Sequence, residues 1–258
     1  MLRFSLQLVG VAALSVFSVC VQADIPLADR RSGEHFMRAE TRAMQNDPTA
    51  NPATFALLEG EALWQKKIGS ADKSCFACHG QAEKNMRGVA ARFPTLSQGR
   101  LMNLEQRIQA CRVEQQRASP WPYEHRELLA LATYVGTQSK GLPITPSNVE
   151  GMQAHRDAGR ALFQQRLGQL NLSCAQCHDA RWGAQLSGNP IPQAHPTAYP
   201  LYRLEWQAVG SLQRRLRNCM TGVRAEPFAF GEPGLVQLES FLMWRARGMP
   251  IETPGLRP

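Results

Sequence analysis

The chain has 258 residues, enough for two domains of ordinary size, and its formal charge is +8. That charge is spread without a dense Lys/Arg run, which argues against nucleic acid and suits small anions or an acidic protein partner. No stretch after the first two dozen residues has the length or apolarity of a membrane span.

Residues 1–23 read as a secretory signal: Arg3 gives the positive start, Leu8 to Val19 the apolar run, and Val21-Gln22-Ala23 the cleavage site. Cys20 suggests lipidation only weakly, because Val19 ill suits the small residue wanted before a lipidated Cys. The expected mature protein is periplasmic, cut near Ala23, and retains six cysteines: 75, 78, 111, 174, 177 and 219. Residues 24–55 are polar and punctuated by Asn46-Asp47-Pro48 and Asn51-Pro52, and read as an N-terminal extension packed on the first domain. Within it, Ser32 to Met44 reads as one helix capped by Ser32.

Two similar units follow. Cys75-Phe76-Ala77-Cys78-His79 returns 99 residues later as Cys174-Ala175-Gln176-Cys177-His178. C-x-x-C-H is the attachment signature of c-type haem: two thiols add across the vinyl groups, and the His becomes an axial ligand. A zinc site or redox pair is the competing reading of one copy, and two copies in an exported chain disfavour it. The sequence therefore predicts two covalently bound haem c groups, held by Cys75, Cys78, Cys174 and Cys177, with His79 and His178 on the irons. With Arg3 removed and both haems ionised, the net charge comes to about +3.

Each motif follows a segment ending in an aromatic, Gly60-Glu61-Ala62-Leu63-Trp64 and Gly159-Arg160-Ala161-Leu162-Phe163. Each unit closes on an apolar helix and a Gly-x-Pro turn, Leu128 to Val135 then Gly141-Leu142-Pro143, and Leu235 to Trp244 then Gly248-Met249-Pro250. Helix, haem loop, excursion, helix is the order of a small cytochrome c. The predicted fold is mainly α, with two tandem class I cytochrome c-like domains at 56–146 and 147–258, joined near Pro143 to Ser147.

Inside each excursion one apolar stripe ends on a cysteine: Leu101, Leu104, Ile108, Cys111, and Val209, Leu212, Leu216, Cys219. Arg107 and Arg215 stand four residues before the two cysteines, on the same helical face. Small core residues, a Cys111–Cys219 disulfide, and a Met ligand (Met86, Met102, Met220 or Met243) are the competing readings. No Met stands at equivalent positions in both units, and the pattern favours Cys111 and Cys219 as the sixth ligands. Around Cys219 lie Arg214, Arg215, Arg217 and Arg224, a cluster suited to an oxyanion; around Cys111 the charges are mixed. The second domain is the expected active one.

These residues, with Ser32 to Met37, the stretch Glu40 to Gln45, Asn51-Pro52, Lys73 to Gly80 and Arg215 to Cys219, resemble the SoxA family. SoxA proteins are the dihaem subunits of the SoxAX cytochromes of thiosulfate oxidation, and the resemblance spans nearly the whole mature chain. It implies an L-cysteine S-thiosulfotransferase that joins thiosulfate oxidatively to a carrier cysteine of SoxYZ, passing electrons through the monohaem SoxX partner to a downstream cytochrome c. It implies His/Cys ligation by His79 with Cys111 and by His178 with Cys219. It also implies a catalytic persulfide on Cys219 and substrate binding by Arg215. A tetrathionate-forming thiosulfate dehydrogenase and a dihaem electron-transfer cytochrome are the alternatives.

Overall fold

The computed structural model describes residues 25–258, so the signal assigned to 1–23 lies outside the described residues. After a 3-10 turn at Gly33–Phe36, ten α-helices and seven short strands follow. They are α1 (Ala39–Asn46), α2 (Ala53–Gln65), α3 (Cys75–His79), α4 (Ala82–Asn85), β1 (Thr95–Ser97), β2 (Arg100–Met102), α5 (Leu104–Glu114) and α6 (Arg126–Thr137). The second half holds α7 (Met152–Gln164), α8 (Cys174–His178), β3 (Gln185–Leu186), β4 (Asn189–Pro190), β5 (Leu201–Arg203), β6 (Ala208–Gly210), α9 (Leu212–Gly222), α10 (Pro233–Arg245) and β7 (Gly255–Arg257). No described helix is long and apolar enough to cross a membrane.

The halves repeat one arrangement: α2 packs on α6, and α7 on α10. Two glycines allow the close approach. A Cβ on Gly60 would fall 2.1 Å from the Ala130 carbonyl oxygen, and one on Gly159 would fall 2.0 Å from that of Gln237. Each helix then ends on its aromatic. Trp64 sits 5.8 Å from His79, centroid to centroid, and its Nε1 donates to the Gly80 carbonyl at 2.9 Å. Phe163 lies 6.5 Å from His178. Leu63, Trp64, Leu131 and Tyr134 form one core, and Phe163, Leu235, Leu238 and Phe241 the other.

A third core lies between the halves. The Pro143–Ser147 joint is no loose linker: Ile144 is 1% exposed and packs with Ala91, Ala246, Met249 and Ile251. The two closing turns pair with each other, Ile144 N–H donating to Met249 O and Gly248 N–H to Ile144 O.

Two local expectations need correction. The helix read over Ser32 to Met44 is broken: Met37 and Arg38 are extended, and α1 starts at Ala39. Met37 is buried, and its carbonyl accepts from the Arg42 guanidinium instead of a helical amide. Leu101 and Val209, read as the first members of helical stripes, lie in β2 and β6. Asn103 and Ser211 start the helices instead, their side-chain oxygens accepting from Gln106 N–H and Arg214 N–H.

Candidate functional site

Each C-x-x-C-H segment is a short helix started by a serine, with Ser74 Oγ accepting from Ala77 N–H and Ser173 Oγ from Gln176 N–H. Five residues hold no stable helix alone, so the cap and the aromatic behind it fix where the thiols point. All six described cysteines are free, which removes the Cys111–Cys219 disulfide. Burial, with Cys111 nearby, pushes the Cys75 thiol up to about 11; burial, with Cys219 nearby, does the same for Cys174. Each stripe cysteine is thus brought to its own motif. Among the described residues no group of three or more His, Cys, Asp or Glu side chains converges to hold a bare metal ion.

The second motif carries the decisive geometry. His178 Nδ1 lies 2.6 Å from the Pro192 carbonyl oxygen, which can only accept, so Nδ1 carries the proton and Nε2 keeps its lone pair. Desolvation and the cations Arg215 and Arg245 hold this imidazole below its ordinary pKa, in the neutral form a metal ligand needs. The next residue, Asp179, is ion-paired with Arg245, whose Nε donates to the Gln193 carbonyl at 3.1 Å. The loop over the motif and α10 beneath it are thereby tied together.

His178, Arg215, Leu216 and Cys219 face a common cavity with about 1000 Å³ of unfilled space, part of it open to solvent. Its walls are apolar at Leu212, Leu216 and Leu242 and cationic at Arg203, Arg215 and Arg257. An apolar macrocycle with an anionic edge fits that lining, and the Nε2 of His195, buried and unpartnered, adds a polar point on the wall. The lining therefore suits a haem, which Cys174 and Cys177 would attach and to which His178 and Cys219 would be available as ligands.

Comparisons with known proteins place the chain in a family. The sequence model described as SoxA/TsdA, cytochrome c domain, matches residues 59–144 and 158–251, most of the chain and once for each half. The chain belongs to the SoxA/TsdA cytochrome c family. The SoxA resemblance drawn from the motifs is borne out, as are the mainly α fold and the two cytochrome c repeats. The chain is 36% identical to the L-cysteine S-thiosulfotransferase subunit SoxA of Pseudaminobacter salicylatoxidans, over 90% of this chain and 82% of that protein. It is 32% identical to that of Rhodovulum sulfidophilum, over 90% and 83%. The crystal structure of SoxXA from P. pantotrophus superposes with a TM-score of 0.85 at 27% identity, covering 89% of this chain and 87% of that one. A member of this family carries covalently bound haem c.

The structure also sorts the arginine cluster. Of Arg214, Arg215, Arg217 and Arg224, Arg215 alone lines the cavity. Arg214 stacks 4.3 Å over Trp206 and Arg217 4.5 Å over Phe230, while Arg224 stands after the end of α9. Of the Met candidates, Met102 and Met220 are buried, Met86 packs on the first core, and Met243 on the core between the halves. In their place Arg203 and Arg257 reach the cavity from β5 and β7, strands that pair parallel. Arg257 is ion-paired with Glu252 at 2.6 Å and Arg203 with the more exposed Glu205 at 2.9 Å. Arg215 has no carboxylate partner among the described residues, and its charge remains available to an anion. Tyr199 lies close to Arg215, Arg203, Arg257 and Cys219; burial nevertheless raises its pKa, and the hydroxyl stays a donor. Phe36 and Met37 of the N-terminal extension line the same cavity.

Proposed function

We propose that this chain is the dihaem subunit of an L-cysteine S-thiosulfotransferase, and that its reaction takes place at Cys219. Residues 1–23 are removed on export to the periplasm, and 56–146 and 147–258 each carry one haem c. The 24–55 extension, expected on the first domain, lies instead against the second, where Arg31 N–H donates to Gln193 Oε1, Asn51 Nδ2 to the Pro254 carbonyl and Leu256 N–H to Gln45 Oε1. The thioether cysteines are Cys75 and Cys78, then Cys174 and Cys177. His79 with Cys111, and His178 with Cys219, would ligate the two haem irons. Partners of the SoxX and SoxYZ kinds supply the monohaem electron outlet and the carrier cysteine, and a further cytochrome c receives the electrons.

The observation that carries this reading is the cavity that His178, Arg215 and Cys219 share. Thiosulfate and a carrier thiol give a carrier S–S–SO3 monoanion, one proton and two electrons. The haem, when bound, supplies the one-electron acceptor next to the sulfur chemistry. The remaining work belongs to side chains. Arg215, with no carboxylate partner, seats the sulfonate by charge-assisted hydrogen bonds. Cys219 presents its sulfur, as a persulfide, to the sulfane sulfur of thiosulfate. His178 has its tautomer set by Pro192 O and is kept neutral by desolvation and the nearby arginines, and the buried Tyr199 hydroxyl offers a further donor to an oxyanion.

The test compares Cys219→Ala with Cys111→Ala, both carrying two haems, assayed with thiosulfate and a carrier cysteine. Cys219→Ala is expected to lose turnover by about a thousandfold or more, as removal of a reacting nucleophile does. Cys111→Ala is expected to retain most turnover. Undiminished turnover in Cys219→Ala overturns the reading.

A further inference from the structure

Helix α9 carries both Arg215 and Cys219, yet its N-terminus is held from the other half of the molecule. Ser211 is the N-cap, and its Oγ accepts from Arg214 N–H at 3.1 Å. The same Ser211 donates twice to one carboxylate: its amide reaches Glu124 Oε2 at 3.3 Å, and its hydroxyl donates to Glu124 Oε1 in a close contact. Glu124 belongs to the loop between α5 and α6 of the first unit. A carboxylate there also complements the partial positive charge of the helix start.

The loop is built to aim that carboxylate. Glu124 has φ +61°, a left-handed backbone that costs a glutamate energy unless its surroundings hold it there. Its neighbours do hold it. Tyr123 stacks on Phe230 at 5.8 Å and 12°, and His125 stacks on Trp121 at 6.1 Å and 8°. Arg217 of α9 covers the Phe230 ring, so the stack continues onto the helix. A second tether runs alongside: Gln106 of α5 donates to Gly231 O at 3.2 Å, and Gly231 N–H donates to Gln213 of α9 at 2.8 Å.

From this geometry we infer that Glu124 is a positioning residue for the reaction, acting from the first unit through Ser211 on the helix that presents Arg215 and Cys219. The inference rests on the functional reading above only for the reaction it serves. A helix is stiff along its axis, and Arg215 lies one turn beyond the cap and Cys219 about one turn further. A rotation at Ser211 therefore moves both groups relative to His178, which is held by Pro192 and not by α9. The first unit then has a task in the chemistry that does not depend on its own haem. The contact has a counterpart: Glu239 of α10 accepts from Asn103 Nδ2 at 3.1 and 3.3 Å, and Asn103 is the N-cap of α5, which carries Cys111. Each cysteine-bearing helix is thus held at its start by a glutamate of the other unit.

The test uses the full dihaem protein with its partner subunit, in the Glu124→Ala, Glu124→Gln and Ser211→Ala forms and the Glu124→Ala/Ser211→Ala double form. Three readouts are taken: hydrogen exchange across residues 212–219, the electron paramagnetic resonance of each ferric haem, and kcat and KM for thiosulfate. Glu124→Ala should speed exchange in the first turn of α9 and shift the second haem's signal while leaving the first unmoved. It should also lower kcat/KM by about tenfold, the scale of loss for a slightly misplaced reacting group. Glu124→Gln, which can still accept from the Ser211 hydroxyl, should recover part of each effect. The double form should be no worse than either single one, because both remove the same contact. A folded Glu124→Ala protein, or Glu124→Gln if the alanine form does not fold, with an unmoved second-haem signal and unchanged exchange overturns the inference, as do equal shifts at both haems. If the second-haem signal moves but even the unaltered protein does not couple thiosulfate to a thiol, the functional reading fails and the positioning role stands.

Discussion

The two C-x-x-C-H motifs are near copies in sequence and unequal in surroundings. In the first, Phe76, Cys78 and His79 are exposed, and the motif sits at the surface beside Trp64. In the second, Cys177 and His178 are half covered, with Pro192, the Phe36–Met37 segment and the β5–β7 strands built over them. The excursion explains the difference. Cys219 follows His178 at a distance nine residues greater than Cys111 follows His79, and where the first excursion has α4 the longer second one has the β3–β4 hairpin and the 191–200 loop. A duplicated haem module is thereby turned into one exposed site and one walled cavity with cationic groups to hold an anion. Local motif chemistry attaches the group; the cover over it decides what the group can do.

Replacing the matched arginines tests that contrast most sharply. Arg215 faces the cavity with no carboxylate partner, so Arg215→Gln should reduce kcat/KM for thiosulfate by about 10- to 100-fold, the worth of a charge-assisted hydrogen bond. Arg107→Gln, at the equivalent place beside His79, should change it by less than about twofold. Steady-state kinetics of the two variants checks this, and equal losses would erase the distinction between the halves.

The helix crossings should respond alike where the sites do not. Gly60→Ala and Gly159→Ala each drive a Cβ onto a backbone carbonyl, and each should cost on the order of 3 kcal/mol in chemical denaturation, at the upper end for overpacking. A loss in only one of them would show that the two units are not packed equivalently.

A smaller effect concerns the seam. Burial first, then the facing Glu105, pushes Glu239 up to about 8, while Gln213 and Asn103 oppose the shift and Glu124 adds to it. Burial likewise raises Glu105, and Tyr123 with Arg100 beside it completes the charged and titratable surroundings. A carboxyl whose folded pKa is raised binds its proton more tightly when folded. Its contribution is therefore full below the ordinary value near 4.5 and is lost as pH rises toward 8. Glu239→Gln should match the unaltered protein near pH 5 and exceed it by roughly 2 kcal/mol near pH 8 in urea unfolding. Parallel pH profiles would contradict the buried-carboxyl account.

Spacing made much of this legible beforehand. The two C-x-x-C-H helices, the two closing helices and the pairing of each cysteine with its own motif all follow from periodicities of one helix or one loop. What spacing could not convey was anything assembled from distant segments. Arg203 and Arg257 are 54 residues apart and meet only because β5 and β7 pair in parallel. The arginines at 214 and 217 looked like part of an anion site, yet a helix turns about 100° per residue, and both stack outward on Trp206 and Phe230. Leu101 and Val209 fit the helical stripe by number, but Asn103 and Ser211 bond amides three residues on and start the helices later. The Glu124–Ser211 contact joins positions 87 residues apart, and neither stands in a recognisable motif.

The claim at the centre is that sulfur is handled at Cys219 and not at Cys111. Trypsin releases Cys219 in the fragment Asn218–Arg224 and Cys111 in Ile108–Arg112. Mass spectrometry of these two fragments, from protein isolated without reductant and exposed to thiosulfate, tests the claim most directly. The account predicts one additional sulfur on the Cys219 fragment and none on the Cys111 fragment. An unmodified Cys219 in an intact dihaem protein, or an equal load of sulfur on both cysteines, would contradict it.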